Sequence, residues 1–257
     1  MIGLFSPDKN WGVKPVLFEA GRLEIPSYGT FVMLGIIAGI FIYSREAKKD
    51  NIFTTNAFYI FVSAIIGGAI GAKIPFWIVN YKEIISRLPD ITLLLSGRTI
   101  LGGLIGGTTG VILTKKILKI KIRMGNQIAP AVAIGVAIGR IGCFLGGCCY
   151  GKPTGFPWGV DFGDGMLRHP TQIYELIFNV IMFIYLLSIK PGIKEQGKLF
   201  TIYLNSYFIF RFFNEFLRAE KTVFLGFTGF QLASFFALLY INRDFVSGYL
   251  KKRYSYE

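Results

Sequence analysis

Arg140 is a charged residue between two glycines in an otherwise apolar run, in the sequence Gly139-Arg140-Ile141-Gly142. A charge near the centre of a bilayer costs about 2.5–3.5 kcal/mol on insertion scales, so a lipid-buried arginine needs a partner or a water-filled cavity. A guanidinium can hold a phosphate through paired hydrogen bonds, and the flanking glycines leave room for a ligand. The sequence therefore predicts an anion-binding arginine. The alternative is an arginine whose side chain extends to the membrane interface.

A second polar segment, residues 168–175, reads Arg-His-Pro-Thr-Gln-Ile-Tyr-Glu. Its proline and threonine suit the start of a helix. Gln172 and Glu175 are three residues apart, so they share one face of that helix. His169 is the single histidine of the chain. It either organises the site, takes part directly in catalysis or has only a structural role.

A third segment places three charged residues on one helical face. Arg211, Glu215 and Arg218 fall at positions i, i+4 and i+7. Glu215 can pair with either arginine, which would leave the other arginine free for an anion. The alternative is an ion triad that is satisfied internally and holds the helices together.

Three cysteines, Cys143, Cys148 and Cys149, form a local cluster in the sequence. An odd number of cysteines in one cluster is not a disulfide framework. Zinc sites usually combine about four ligands with a C-x2–4-C spacing, which C-x4-C-C matches poorly, and His169 is the only obvious fourth ligand. We therefore expect no metal. The cysteines are then either small packing residues or reactive thiols.

The elements that must position these residues are apolar helices. The chain is 53% apolar and 17% charged, whereas soluble domains carry about a quarter charged residues. Runs of about 18 or more apolar residues can cross a bilayer as helices, so the composition predicts an all-α, polytopic membrane bundle. We predict seven spans, at 27–43, 57–79, 99–114, 127–147, 171–189, 199–217 and 224–241, and an interfacial or re-entrant segment at 91–96.

Glycines at i, i+4 spacing recur in these spans, as at Gly67 with Gly71 and Gly102 with Gly106. Small residues allow helix backbones to approach closely in lipid. The pattern therefore predicts close helix packing.

The net charge of +13 does not indicate nucleic-acid binding, because the basic residues lie in short loops between apolar runs. More than half of the 28 lysines and arginines fall in four segments, after spans one, three and five and at the C-terminus. The positive-inside rule then places the C-terminus in the cytoplasm, the N-terminus outside and loop 148–170 on the outer face.

No cleavable signal is evident, so we expect the first helix to be retained. Because the spans share their loops, we predict one domain over residues 1–257.

The polar segments therefore meet at the outer membrane face. Two or three arginines, a carboxylate and a Tyr/Gln pair in that position suit the headgroup of a phospholipid, with its acyl tails left in the bilayer.

At Gly139–Tyr150 and Arg168–Glu175 the chain resembles the phosphatidylglycerol–prolipoprotein diacylglyceryl transferase family. The resemblance covers most of the chain. It extends to Tyr28-Gly29, Gly71-Ala72-Lys73, Leu101–Gly107, Ile128–Ala131, Pro157–Val160, Arg211, Glu215–Arg218 and Gln231.

The resemblance implies a bacterial inner-membrane enzyme with seven spans and no cofactor. It would move a diacylglyceryl group from phosphatidylglycerol to the thiol of a lipobox cysteine in a preprotein, and glycerol phosphate would leave. Arg140 and Arg211 could supply the cationic stabilisation that the leaving phosphate needs. The thiol must become a thiolate, and the base could be Glu175, Glu215, Tyr174 or His169.

The chain also departs from the family pattern. The family's histidine in span three is Leu101, an asparagine after Gly-Arg-Ile-Gly is Cys143, and a carboxylate position is Cys148. An aspartate before Ile-Ala-Pro is Asn126, and a glutamine is Val136. The pattern indicates a divergent, cysteine-rich branch.

The residues that we predict to form the site fall into three groups. The catalytic candidates are Arg140, Arg211, Glu175 and Glu215. The substrate-binding candidates are Tyr28, Gly139, Gly142, His169, Gln172, Tyr174 and Arg218. The possible reactive thiols are Cys143, Cys148 and Cys149. Two other functions remain open: a related lipid-dependent transferase with another acceptor, or a non-catalytic lipid-binding or transport protein, since buried arginines and glycine-broken helices also suit transporters.

Overall fold

The computed structural model describes residues 12–20, 23–51, 55–86, 100–120, 124–220 and 222–243. These residues group into two compact units. One unit is Lys48–Met124, and the other contains the rest of the described chain. The predicted interfacial segment 91–96 lies outside the described residues.

The described chain is built mainly from apolar helices, whose bounds are α1 (Ser27–Lys49), α2 (Thr55–Gly71), α3 (Ile74–Val79), α4 (Tyr81–Ser86), α5 (Ile100–Ile117), α6 (Gly125–Leu145), α7 (Thr171–Ile189), α8 (Lys198–Asn214) and α9 (Gly229–Ile241). Each predicted span overlaps at least one of these helices. The helix start predicted from the proline and threonine is confirmed, because α7 begins at Thr171 with Pro170 as its N-cap.

Four segments in the described part of the chain are long and apolar enough to cross a bilayer: Ser27–Lys49, Phe58–Ile78, Gly125–Leu145 and Thr171–Gly192. Apolar helices of this length satisfy all their backbone hydrogen bonds internally, as hydrocarbon requires. The protein is therefore a membrane protein. The count of seven crossings and the orientation of the termini stay predictions.

Three short antiparallel hairpins, which hydropathy did not predict, accompany the helices. They are β1 (Val16–Ala20) with β2 (Leu23–Pro26), β3 (Val160–Asp161) with β4 (Leu167–Arg168), and β5 (Thr222–Phe224) with β6 (Phe227–Thr228). Isolated bridges also pair Gly151 with Arg218 and Pro153 with Arg168. These bridges attach the loop between α6 and α7 to the residues that follow α8 and precede α7.

Three helices of the larger unit share one apolar core. Ala129 and Ala133 of α6 pack with Met182 and Leu186 of α7, and with Leu199 and Tyr203 of α8. Each of these helices also carries a charged residue outside the core. Packing within the core therefore fixes where those charged residues lie.

Polar bonds fix one end of this helix packing, where α6 and α8 begin and α7 ends. The Asn126 side chain accepts a hydrogen bond from the Leu199 amide at 3.0 Å and donates one to the Glu195 carbonyl at 2.9 Å. Asn126 therefore satisfies a free amide at the start of α8. Glu46 and Lys190 form a largely buried ion pair at 2.7 Å beyond the C-terminal end of α7.

Close backbone contacts confirm the packing predicted from the glycines. In the smaller unit, Gly67 and Gly71 of α2 lie against Gly102 and Gly106 of α5, where added side chains would meet backbone atoms. In the larger unit, a Cβ placed on Gly35 of α1 would lie 2.6 Å from the carbonyl oxygen of Gly135 in α6. Glycine is therefore required where these helices cross.

We expect Gly35→Ala to destabilise the protein by about 1–3 kcal/mol, because the added methyl overpacks the α1–α6 contact. Gly29→Ala in the same helix is the matched control, since its Cβ would meet only Pro26 at an ordinary 3.6 Å. Thermal unfolding in detergent measures both variants. Equal melting temperatures for the two would contradict the packing account.

Candidate functional site

Five charged side chains form one continuous chain of ion pairs across three helices. Arg140 of α6 contacts Glu175 of α7 at 2.7 Å. The other oxygen of Glu175 lies 3.3 Å from Arg211 of α8, whose second terminal nitrogen lies 3.0 Å from Glu215. Glu215 also lies 3.5 Å from Nε of Arg218. Each carboxylate therefore joins two guanidinium groups.

These five linked side chains, called the ion chain below, are largely buried. The Glu175 and Glu215 side chains are 1% and 0% exposed, and those of Arg211 and Arg218 are each 5% exposed. The Arg140 side chain is more open, at 14%. Three guanidinium groups and two carboxylates would leave one net positive charge, but Glu220 also pairs with Arg218 at 3.0 Å, so the charges balance. Because unpaired buried charge is costly, an anion is best accommodated at the least enclosed guanidinium, that of Arg140.

Hydroxyl groups complete the coordination of the two carboxylates. The Tyr207 hydroxyl donates to Glu175 at 3.0 Å, and the Thr228 hydroxyl donates to Glu215 at 3.1 Å. Thr228 is also the N-cap of α9, where it forms a reciprocal capping box with Gln231. The start of α9 thus fixes the position of Glu215.

An aromatic ring covers Arg211. The centre of its guanidinium lies 4.9 Å from the centroid of the Phe230 ring, in the first turn of α9. A cation over a ring face is stabilised by the ring quadrupole. Arg211 is therefore enclosed by two carboxylates and an aromatic side chain.

His169 precedes α7 and Tyr174 lies in its first turn, next to Glu175 in the sequence. Nδ1 of His169 is 3.1 Å from the Tyr174 hydroxyl, which accepts a hydrogen bond from Nε1 of Trp158 at 2.8 Å. Burial lowers the pKa of His169 below its ordinary value, so its imidazole is neutral near pH 7. Phe156 stacks on Trp158, with 4.7 Å between the ring centroids. Exposed aromatic pairs of this kind suit a membrane–water interface.

The three cysteines meet where α6 ends. Their sulfur atoms all lie within 4.8 Å of one another, and Cys143 lies 3.8 Å from Nη1 of Arg140. The backbone of the turn is held from α7 and from the end of α8. Gln172 donates to the Cys148 carbonyl at 2.6 Å, and Arg218 donates to the Cys149 carbonyl at 2.9 Å.

The two predicted glycines beside Arg140 have different surroundings. A Cβ on Gly139 would meet none of the described residues within 4 Å, so within that part of the chain this side of α6 is open. A Cβ on Gly142 would lie 2.8 Å from Phe31 and 3.1 Å from the Tyr28 carbonyl. Gly142 thus packs against the start of α1, which brings Tyr28 to the same end of α6. Only Gly139 provides room for a ligand.

Of the two alternatives that the sequence left open for this segment, the structure shows the ion triad. Glu215 contacts both Arg211 and Arg218, so it leaves neither arginine free. Arg218 also pairs with Glu220 at 3.0 Å. Because all of these groups are close to the end of α8, the carboxylate reaches both neighbours. The more exposed Arg140 is therefore the better candidate for an incoming anion.

Sequence reasoning missed Tyr207 and Thr228. Tyr207 precedes Arg211 by four residues and so shares its helical face, a signal that was present in the sequence. Thr228 was not predictable as a Glu215 partner, because the contact depends on the turn before α9. Leu101, at the family histidine position, belongs to the smaller unit, and its side chain is outside the described part.

Most of this chain matches proteins of one known family. Residues 15–243 match the family described as prolipoprotein diacylglyceryl transferase. The phosphatidylglycerol–prolipoprotein diacylglyceryl transferase of Clostridium tetani is 38% identical over 81% of this chain and 86% of its own length. The corresponding protein of Geobacter sulfurreducens is 32% identical, over 80% of this chain and 82% of its own length.

We expect Glu175→Gln to destabilise the protein by about 3–5 kcal/mol, because it leaves two buried guanidinium groups without a shared counter-charge. Glu220→Gln is the matched control, since Glu220 is 41% exposed and exposed pairs contribute only about 0–1 kcal/mol. Denaturation in detergent compares the two variants. A Glu175→Gln protein as stable as wild type would show that the ion chain is not a structural requirement.

Proposed function

The chain belongs to the prolipoprotein diacylglyceryl transferase family, and from this premise we propose that Arg140 binds the phosphate of phosphatidylglycerol during transfer. The protein is a membrane transferase of lipoprotein biosynthesis. In the proposed reaction the diacylglyceryl group moves to the thiol of a lipobox cysteine in a secreted preprotein. The same two substrates appear in the names of the relatives.

The observation that carries this proposal is the Arg140 guanidinium, which is the most exposed of the three in the ion chain. Among the described residues, its Nη2 donates to Glu175, whereas Nη1 contacts only the Cys143 sulfur at 3.8 Å, which is a weak acceptor. Gly139, the preceding residue, leaves its side of α6 open. A phosphate there would replace a poor contact with a charge-assisted hydrogen bond.

The leaving phosphate is the group that most needs stabilisation by the enzyme. A thiolate attacks the glyceryl carbon that carries the phosphate, the carbon–oxygen bond breaks, and the electron pair leaves with the phosphate oxygen. The products are a thioether and glycerol phosphate. A guanidinium that is already fixed in place stabilises the departing charge without reorganisation. Glu175 supplies this orientation, because it holds both Arg140 and Arg211.

Among the four candidate bases, His169 with Tyr174 suits proton transfer better than the two glutamates. Glu175 and Glu215 each form ion pairs with two arginines and accept a hydrogen bond from one hydroxyl. His169 is neutral near pH 7 because burial lowers its pKa, and a neutral imidazole can accept a proton. In this proposal Glu175 and Glu215 organise the arginines, and Gln172 positions the cysteine turn.

The site is proposed to face the outside of a bacterial inner membrane, within a seven-span chain. Two polar layers support this placement, since the ion chain lies near the N-terminal end of α7 and the Glu46–Lys190 pair lies beyond its other end. The basic segments, which mark the cytoplasmic side, include Lys190 and Lys198. The loop between α6 and α7 would then lie outside the cell.

A fusion of green fluorescent protein to the C-terminus tests this orientation, because that protein becomes fluorescent in the cytoplasm and not after export in unfolded form. We expect a fluorescent fusion. An alkaline phosphatase fusion at the same position is the complementary reporter and should be inactive. The opposite pair of results would reverse the proposed topology.

We expect Arg140→Ala to lower the rate of transfer about 10²–10³-fold, the loss typical of removing one preorganised donor to a developing negative charge. The assay is mass spectrometry of a lipobox peptide incubated with purified protein and phosphatidylglycerol. Lys198→Ala is the control, because both side chains of the Lys198–Glu195 ion pair are exposed.

Normal transfer by a folded Arg140→Ala protein would remove Arg140 from the reaction. Consumption of phosphatidylglycerol by the wild type without modification of the peptide would indicate another acceptor. Bound lipid with no covalent product on any acceptor would instead support lipid binding or transport.

A further inference from the structure

The turn that follows α6 brings together three sulfur atoms that the spacing of the cysteines did not predict to meet. The Gly147 amide donates to the Phe144 carbonyl at 3.0 Å, and the Cys148 amide donates to the Cys143 carbonyl at 3.0 Å. Gly147 has a φ of 66°. These two bonds and the left-handed residue define a Schellman motif, which folds the chain back over the last helical turn. A C-x4-C spacing at a helix end therefore places Cys148 on Cys143.

Cys149 joins the same cluster through an uncommon backbone conformation. Its φ is 66°, a value that residues with a side chain rarely adopt. Two side chains hold its carbonyl in this position, because Thr171 and Arg218 each donate to it at 2.9 Å. The third sulfur is thus fixed by residues of α7 and of the segment after α8.

We propose that Cys143, Cys148 and Cys149 together bind one zinc ion as thiolates. The three sulfur atoms lie within 4.8 Å of one another. Zinc–sulfur bonds of about 2.3 Å in a tetrahedral site place the sulfurs about 3.8 Å apart, so small side-chain rotations close the site. Soft thiolate ligands select zinc over magnesium or calcium.

The charges around the cluster suit thiolates. Arg140 lies 3.8 Å from the Cys143 sulfur, and Arg218 binds the backbone of Cys149. Nearby guanidinium groups favour the thiolate form of cysteine. They also offset the negative charge of a zinc ion that is bound by three thiolates.

Three protein ligands leave one position of a tetrahedral zinc ion open, as in catalytic zinc sites. Among the described histidine, cysteine, aspartate and glutamate side chains, only the three cysteines belong to the cluster. Cys148 and Cys149 are partly exposed, so the open position can be reached by a ligand. A substrate thiol is a suitable fourth ligand, since the ion already accepts three sulfurs.

Resting on the proposed transferase function, this site would activate the acceptor. The lipobox thiol would give up its proton to the base proposed above, His169, as it binds zinc, and its sulfur would then attack the glyceryl carbon. The carbon–oxygen bond breaks and glycerol phosphate leaves with the electron pair. The thioether is a weaker ligand than a thiolate and so departs from the ion.

Elemental analysis of protein purified without chelators tests the site itself. We expect about one zinc per chain in the wild type and in the Lys198→Ala control, and a loss of zinc in Cys148→Ser. Zinc retained by Cys148→Ser, or a metal-free wild type with three titratable thiols or a disulfide, would overturn the proposal.

Cobalt substitution of the wild type tests the open position and does not depend on the folding of any variant. We expect thiolate-to-cobalt charge-transfer absorption, and a change in the visible bands when a lipobox peptide with cysteine is added, but not when serine replaces it. No response to the cysteine peptide would overturn acceptor binding at the metal. A zinc-loaded wild type that transfers nothing would instead contradict the proposed function and leave the metal site standing.

Discussion

The free-energy cost of burying charge constrains this structure, and Glu175 offsets part of that cost by pairing with two arginines. Its carboxylate is 1% exposed and contacts Arg140 and Arg211 from two different helices. Removing any one of these groups would leave an uncompensated charge in a region where water cannot replace the partner. The positions of α6, α7 and α8 relative to one another are therefore tied to the ion chain as well as to the apolar core.

The ion chain is sealed on one side and accessible on the other. Thr228 and Phe230, at the start of α9, close the end that contains Glu215 and Arg211. Arg140, at the opposite end, is more exposed and lies next to the open side of α6 at Gly139. This asymmetry explains how one set of charges can serve both purposes: the closed end stabilises the fold, and the open end is the part that a headgroup can approach.

Much of the fold follows from hydropathy, because a helix in lipid is specified by a long apolar run. The start of α7 was predictable from Pro170 and Thr171, and the close crossing of α2 and α5 from their glycines. The hairpins were not predictable, since strands of two to five residues carry too little pattern to separate from loops. The division into two compact units also has no signal in the hydropathy profile.

The site was predictable as a set of residues, and much less so as a network. Isolated arginines and glutamates in apolar runs can be identified as candidate site residues, because charged side chains in lipid need partners. Which partner each one takes depends on tertiary contacts, as the double role of Glu215 and the hydroxyl of Thr228 show. The cysteines are a second example. Their spacing in the sequence did not predict a shared ligand, whereas the turn at Gly147 brings their sulfurs together.

The most direct test of the central claim is an experimental structure of the protein with phosphatidylglycerol bound. The account places the lipid phosphate within hydrogen-bonding distance of Nη1 of Arg140, beside Gly139, with the Arg140–Glu175–Arg211 contacts intact. A phosphate bound elsewhere on the protein, with Arg140 still directed only at Glu175 and Cys143, would contradict it.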